Sequence, residues 1–347
     1  MNQPISTTRR AVSLALGAVA ATLFASAALA QKAQLLVYSA LEADQVKSYK
    51  EAFEKTNPNV EISWVRDSTG VITAKLIAEK ANPKADIVWG LAATSLLVLE
   101  AEGMLAPYAP KGLDKIPANF RDAKNPPTWV GMDVWGATVC FNTVEAAKQN
   151  LPKPETWKDL AKPIYKGKIV MPHPSSSGTG FLDVTAWLQI YGEAEGWKFM
   201  DALHENIAIY QHSGSAPCRS AGTGEFPIGI GFEMRANQVK ASGAPIDLIF
   251  PKEGLGWDME ATAILKTSKN MDAAKALADF AVSKEANDLY AKSYAVTALP
   301  GTAIPLPNIP ANYTSMLVKN DFAWAAKNRD RILTEWNKRY NAKAAPK

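Results

Sequence analysis

The residues spaced for chemistry in this chain are hydroxyls and glycines at the ends of apolar runs. The sharpest group follows Lys168-Ile-Val-Met-Pro-His-Pro174. It reads Ser175, Ser176, Ser177, Gly178, Thr179, Gly180, and then continues as the helix-like stretch Phe181–Ile190. A helix start offers unpaired backbone N–H groups and a partial positive charge. Hydroxyls add donors, and glycine lets the backbone close in on a ligand. Such an end suits a small anion with several oxygens. Three more runs end in the same way: Leu35-Leu-Val-Tyr-Ser39, Asp86-Ile-Val-Trp-Gly90 leading to Ala93-Thr-Ser95, and Ile207-Ala-Ile-Tyr-Gln-His-Ser-Gly-Ser215. A single Ser or Thr there is explained by helix capping alone. The run at 175–180 exceeds that need, because one cap uses one hydroxyl.

Catalytic groupings are sparse. The three histidines are His173, His204 and His212, and two of them lie beside serines at strand ends. A hydrolase needs such a base next to a nucleophile and oriented by a third group. No G-x-S-x-G elbow, H-E-x-x-H pair or Walker loop is present. The expectation is a non-enzyme without cofactor or metal, with a secreted hydrolase as the alternative from another class.

The elements that must position these residues follow from periodicity. Strands are predicted over 34–38, 60–65, 86–89 and 134–142, and the pattern resumes at Ile169, Ile207 and Ile228. Ser39 and Glu42 fit a capping box ahead of a helix carrying Val46, Tyr49 and Phe53. Further helices are predicted near 71–81 and 95–102, with a strand at 257–265 and closing helices at 272–283, 285–292 and 321–339. Strands alternating with helices imply βαβ units and a mainly parallel sheet, so the fold class is α/β. The expected layout is two lobes, lobe one from 31–140 plus 260–347 and lobe two from 141–259. The hydroxyl-rich strand ends then face one another across the cleft between them.

Residues 1–30 read as a secretory signal peptide: Arg9-Arg10, an apolar stretch from Ala11 to Ala27, and the cleavage pattern Ala28-Leu-Ala30. An export route to the periplasm follows. Without Arg9 and Arg10, 36 basic residues face 34 acidic ones, a formal +2. That balance argues against a nucleic-acid partner, which wants a basic stripe. The two cysteines, Cys140 and Cys218, either form one disulfide in an oxidising compartment or stay as buried thiols.

Taken together, the leader, Leu35–Ser39, Asp86–Gly90, Pro174–Gly180 and Gly254-Leu-Gly-Trp-Asp-Met-Glu-Ala-Thr262 resemble the type 2 periplasmic solute-binding proteins of ABC importers, over essentially the whole mature chain. Within that superfamily the chain is similar to the ferric-iron-binding branch, and most similar to members associated with 2-aminoethylphosphonate. The resemblance implies the two-lobe type 2 fold, a monomer, a small phosphonate ligand and an inner-membrane ABC permease as partner. Ferric iron, a polyamine or a phosphate ester are the alternatives in the same class. Iron-binding relatives carry a Tyr-Tyr pair after the strand that here reads Pro227-Ile-Gly-Ile-Gly231, where this chain has Phe232-Glu233. It also has Leu91 where relatives often carry Glu, and Glu42 where some carry His. Phe and Leu cannot ligate a hard cation.

For such a ligand, the anionic head is expected on Ser177, Gly178, Thr179 and Gly180, helped by Ser39, Ser95 and Ser215, with Ser213 and Arg219 as further donors. The ammonium end wants a carboxylate and aromatic faces. Glu233, Asp258 and Glu260 are the candidate carboxylates. Trp89, Trp257, Tyr38 and Phe232 are the candidate walls. Strand alternation places Asp258 and Glu260 on one face and Trp257 and Met259 on the other.

Overall fold

Apolar runs set the strands, and the polar residues after each run set where the chain turns back as a helix. A computed structural model describes residues 32–346; the leader expected at 1–30 lies outside the described residues. The first run, Ala33–Ser39, is β1, followed by α1, Ala43–Thr56, which buries Gln45, Tyr49 and Phe53. The capping box forms three residues later than expected, with Glu42 as the N-cap and Gln45 closing it. Ser39 lies three residues ahead of that N-cap, where its hydroxyl donates to the Trp89 carbonyl at 2.6 Å and accepts from the Leu41 N–H at 3.1 Å.

The βα alternation continues through β2 (Val60–Arg66), α2 (Thr69–Ala78), β3 (Ile87–Ala92) and α3 (Ala93–Ala101). A long buried strand follows, β4 (Val130–Asn142), and then the short helix α4 (Thr143–Lys148). The next elements are β5 (Ile169–Pro172), α5 (Gly178–Tyr191), α6 (Glu193–Asn206), β6 (Ile207–Gln211) and α7 (Ala216–Thr223). β7 (Ile228–Phe232), α8 (Glu233–Ala241) and β8 (Ile246–Ile249) lead to β9 (Trp257–Ile264). The chain closes with α9 (Met271–Ala281), α10 (Lys284–Tyr290), β10 (Val296–Thr297), α11 (Tyr313–Met316) and α12 (Phe322–Tyr340).

The strand order is β2-β1-β3-β9-β4-β7-β5-β6. β1 runs parallel to β2 and β3, and β5 runs parallel to β6 and β7, whereas β9 and β4 are antiparallel to their neighbours. β4 is the spine of the molecule. Its residues 130–136 pair with β9, and residues 137–142 pair with β7 and β8. The sheet thereby passes from one half to the other within a single strand, at Gly136–Ala137. This is the mixed α/β architecture with a curled sheet of the type 2 periplasmic binding proteins.

Cys140 on β4 is bonded to Cys218 on α7, which settles the pair left open by the sequence. β7 is shaped to admit this contact. A Cβ on Gly229 would stand 2.2 Å from the Pro217 carbonyl oxygen, and one on Gly231 would stand 2.6 Å from Cys218 Sγ. Two glycines on one face of β7 let α7 lie directly on the strand.

α9 and α10 pack on the first half through Ala274, Leu277, Phe280 and Tyr290. α12 packs along α3 of the first half and also reaches the second. Its Ile332, Leu333, Trp336 and Tyr340 join the core of Trp187, Trp197, Leu203 and Tyr210. The reason is its apolar stripe: Trp336 meets Tyr210 edge-on at 4.7 Å, and Tyr340 also donates to Asp201 at 2.7 Å. No helix among the described residues is long and apolar enough to cross a membrane.

Candidate functional site

Three hydroxyl- and glycine-bearing loops meet where the two halves face each other. Ser68 and Thr69 open α2, Ser177, Gly178 and Thr179 open α5, and Ser213 and Gly214 precede α7; all line one cleft with Arg66. Packing between these loops leaves no room for side chains at the glycines. A Cβ on Gly178 would lie 2.7 Å from Thr69 Oγ1, and one on Gly214 would lie 2.5 Å from Thr179 Oγ1. One on Gly70 would meet the Ser175 carbonyl oxygen at 2.2 Å. The Gly70 N–H donates to the Ser176 carbonyl at 2.9 Å, so backbone joins backbone across the cleft. Two helix N-termini, α2 and α5, therefore open on the same space beside one guanidinium. That arrangement concentrates positive potential and N–H donors on an anion.

Glu42 stands on the rim of this space. Its carboxylate accepts from the Ser215 hydroxyl at 2.5 Å and from the Arg235 guanidinium at 2.8 Å, with Arg66 Nη2 at 3.7 Å. Ser215 and Arg235 belong to the second half, Glu42 to the first, so this cluster also ties the halves together. The remaining walls are aromatic or acidic: Trp135, Phe232, Tyr294 and Glu260.

Of the residues expected in the site, Ser177, Gly178 and Thr179 line the cleft. Ser177 also caps α5, its Oγ accepting from the Gly180 N–H at 3.4 Å. Gly180 itself sits behind, where a Cβ would meet the Pro172 carbonyl oxygen at 2.5 Å. Ser39 is fully buried and held by Trp89. Ser95 accepts from the Thr73 hydroxyl at 2.9 Å inside the fold. Trp89 is a core residue, stacked on Trp64, with its indole N–H donating to Tyr290 at 3.0 Å. Trp257 donates to the Val318 carbonyl at 2.7 Å and packs edge-on against Phe322. Tyr38 is buried and donates to Glu79. Ser215 does not line the cleft but touches two residues that do, donating its hydroxyl to Glu42 and its N–H to Ser213 Oγ at 3.2 Å.

Two of the three candidate carboxylates have internal duties. Asp258 accepts from the Thr94 hydroxyl at 2.6 Å and lies beside the Ala93 and Thr94 N–H groups. It fills the N-terminus of α3, which explains why the strand end at Asp86–Ser95 does not open on the cleft: a protein carboxylate already occupies the anion position. Glu233 is fully buried and accepts from the Gly136 N–H at 2.7 Å where β4 changes its pairing partner. Burial pushes Asp258 up to about 7 and Glu233 to about 8. Glu260, which does reach the cleft, is pushed up to about 8 by burial and by the charge of Asp258.

Arg66, Ser68, Thr69, Trp135 and Tyr294 were not anticipated. The signal for the first three was available: Arg66-Asp-Ser-Thr-Gly70 is a fifth strand end with hydroxyls and glycine. Trp135 and Tyr294 had no local signal, since only the pairing of β4 and the return of the chain after α10 bring them to the cleft.

The family model of bacterial extracellular solute-binding proteins matches residues 82–326. An uncharacterised protein of Haemophilus influenzae is 34% identical over 283 residues, 80% of this chain and 81% of that one. A probable ABC transporter periplasmic-binding protein of Sinorhizobium fredii is 27% identical over 252 residues, 69% of this chain and 68% of that one. Among solved structures, the periplasmic binding protein AfuA from Actinobacillus pleuropneumoniae, with exogenous fructose-6-phosphate bound, superposes with a TM-score of 0.83 at 30% identity, covering 89% of this chain and 99% of that one. With the two-half architecture, the cleft and these likenesses, the chain belongs to the bacterial extracellular solute-binding proteins, the periplasmic receptors that deliver small molecules to ABC importers.

Proposed function

We propose that this receptor captures a small organic phosphorus oxyanion, with a phosphate monoester of a hydroxylated carbon chain as the leading ligand. The observation that carries the reading is the meeting of the α2 and α5 N-termini, with Ser68, Thr69, Ser177, Gly178 and Thr179, beside Arg66. Charge-assisted hydrogen bonds of this kind contribute roughly 1.5–3 kcal/mol each. Several are required, because the anion gives up its water. The bound fructose-6-phosphate of AfuA, at 30% identity, supports the same head-group chemistry.

2-Aminoethylphosphonate is the second reading. It is favoured by the acidic groups at the same cleft, Glu42 and Glu260, which suit an ammonium. Glu233 is spent on Gly136 and does not support that role. Phe232 stands on the wall where a ferric site would want an oxygen. The halves built on residues 31–140 plus 260–347 and 141–259 would close around the ligand as lobes, with α12 in contact with both. Closure stabilised by differential affinity then presents the protein to its permease without any chemical step.

Thermal melts with fructose 6-phosphate, 2-aminoethylphosphonate, inorganic phosphate, ferric citrate and putrescine rank the ligands by stabilisation. A rise with the phosphorus compounds alone supports the reading. A rise confined to ferric citrate or putrescine overturns it.

A further inference from the structure

The cleft has a second polar wall, built by two irregularities in the sheet. Both strands beside β9 break register close to Glu260: β3 between Trp89 and Leu91, opposite Thr262 and Ala261, and β4 between Gly131 and Asp133, opposite Ala261 and Glu260. The residues passed over are Gly90, at φ 74°, and Met132. Bulges re-aim side chains. Here the shift in β4 sets Asp133 directly opposite Glu260, while Ala92 is the neighbour on the other side. Directly opposed side chains share a face of the sheet with Cβ atoms about 5 Å apart, and like charges in that position repel.

The surroundings leave these groups unsatisfied. Both Asp133 oxygens, Glu260 Oε2, Gln45 Nε2 and the Tyr49 hydroxyl find no hydrogen-bond partner among the described residues. All four residues are more than nine-tenths buried. Tyr294 stands among them, under the fields of Asp133, Glu260 and Tyr49 and beside Gln45. Glu260 and Tyr294 are the members that line the cleft. Native folds leave few buried polar atoms unpaired, yet five gather here from β4, β9 and α1. Of these five atoms only Glu260 Oε2 belongs to a residue that lines the cleft, so the guest that satisfies it brings a donor.

We propose that Glu260 and Tyr294 form a second subsite that takes the hydrogen-bond-donating end of the ligand, a hydroxyl or an ammonium. Asp133 acts behind Glu260 as a positioning residue, with Gln45 and Tyr49. The inference rests on the reading that the phosphorus head group lies on the Ser, Thr and Gly loops. The two ends of the cleft then differ in sign, which fixes ligand direction: a phosphate at Glu260 would meet carboxyls. The titratable and charged groups around Glu260 are Asp133 on β4, Asp258 on its own strand, Tyr49 on α1, Tyr294, and Glu42 and Arg66 at the rim. Burial and mutual repulsion let the Asp133–Glu260 pair hold a proton in the neutral range. A hydroxyl guest leaves that proton in place. An ammonium guest replaces it, and the proton passes to the buffer.

Calorimetry in two buffers of different ionisation heat tests this, using wild type, Glu260→Gln and Asp133→Asn with fructose 6-phosphate, 2-aminoethylphosphonate and inorganic phosphate. Glu260→Gln is expected to weaken the organic ligands roughly tenfold or more, and inorganic phosphate far less. Asp133→Asn is expected to shift the pH profile of organic-ligand affinity and to diminish proton release with the ammonium ligand. It should also raise the melting temperature of the empty protein, by removing an unpaired buried carboxyl. Equal losses for all three ligands overturn the subsite. So does an Asp133→Asn protein with a lower melting temperature and an unchanged pH profile. Wild type that binds inorganic phosphate but neither organic ligand overturns the subsite and leaves the anion cradle standing. Binding of none of the three removes the cradle reading and the subsite with it.

Discussion

Arg235 reaches from α8 to the carboxylate of Glu42 at the head of α1, 2.8 Å away across the cleft. The same oxygen pair of Glu42 takes the Ser215 hydroxyl, and Asp44 stands 3.4 Å from the guanidinium. Arg235 is almost fully buried, so the contact is a desolvated one between the two halves. If the halves open as proposed, this contact is given up. Arg235→Met is therefore expected to favour the open state and to weaken all ligands by a similar factor, about tenfold for the loss of one charged hydrogen bond. Small-angle scattering of the empty variant should show a larger radius of gyration than wild type. An unchanged radius with unchanged affinities would remove Arg235 from closure.

The close fit at Gly178 separates steric from hydrogen-bonding contributions. Thr179→Ala removes one hydroxyl and should weaken phosphate and phosphate ester alike, by roughly five- to tenfold. Gly178→Ala places a methyl 2.7 Å from Thr69 Oγ1, and should impair binding more severely because the two halves can no longer approach. Titration calorimetry of both variants checks the order. A Gly178→Ala protein that binds better than Thr179→Ala contradicts the geometry.

Buried acids should give the empty protein a stability that depends on pH. Glu233 and Glu260 are raised to about 8 and Asp258 to about 7 by burial. A carboxyl with a raised folded pKa binds more protons in the native state than in the unfolded chain between its two pKa values. Its stabilising contribution is complete below the unfolded value and is lost as pH rises through the folded one. The melting temperature of the empty protein should fall from about pH 5 to pH 8.5. Glu233→Gln keeps an acceptor for the Gly136 N–H and should flatten that slope. A melting temperature that rises over the interval would show these carboxyls to be ionised in the fold.

The Cys140–Cys218 bond fastens α7 to the middle of β4, across 78 residues of chain. Cys140→Ser with Cys218→Ser is expected to cost about 2–4 kcal/mol, read by urea unfolding of the oxidised wild type and the double variant. A difference well below that range would mean the cluster of Ala221, Ala236 and Ile246 holds α7 by itself.

Glu233 illustrates how far a sequence can be read. Its place after an apolar strand made it a reasonable counter-charge for an amine, yet the fold turns it toward the Gly136 N–H. A selective effect of Glu233→Gln on aminated ligands is accordingly not expected, and competition between 2-aminoethylphosphonate and fructose 6-phosphate on this variant checks it. Asp258 makes the same point at α3, where it takes the anion position for itself.

The sequence by itself determined what is local. Continuous apolar runs, Ser/Thr/Gly strand ends and the alternation of strand with helix establish the α/β class, and Ser177–Gly178–Thr179 are the basis of the proposed anion site because hydroxyls, glycines and a helix start act within a few residues of one another. Only the tertiary structure decided which strand ends share a space. That depends on the order β2-β1-β3-β9-β4-β7-β5-β6 and on the turn of β4 from one half to the other, which bring Arg66, Trp135, Phe232 and Tyr294 to one cleft from positions far apart in the chain. The same physics explains the residues that fell away. A polar group at a strand end is satisfied by the nearest partner that folding supplies, and for Ser39, Ser95, Glu233 and Asp258 that partner is the protein's own backbone or side chains.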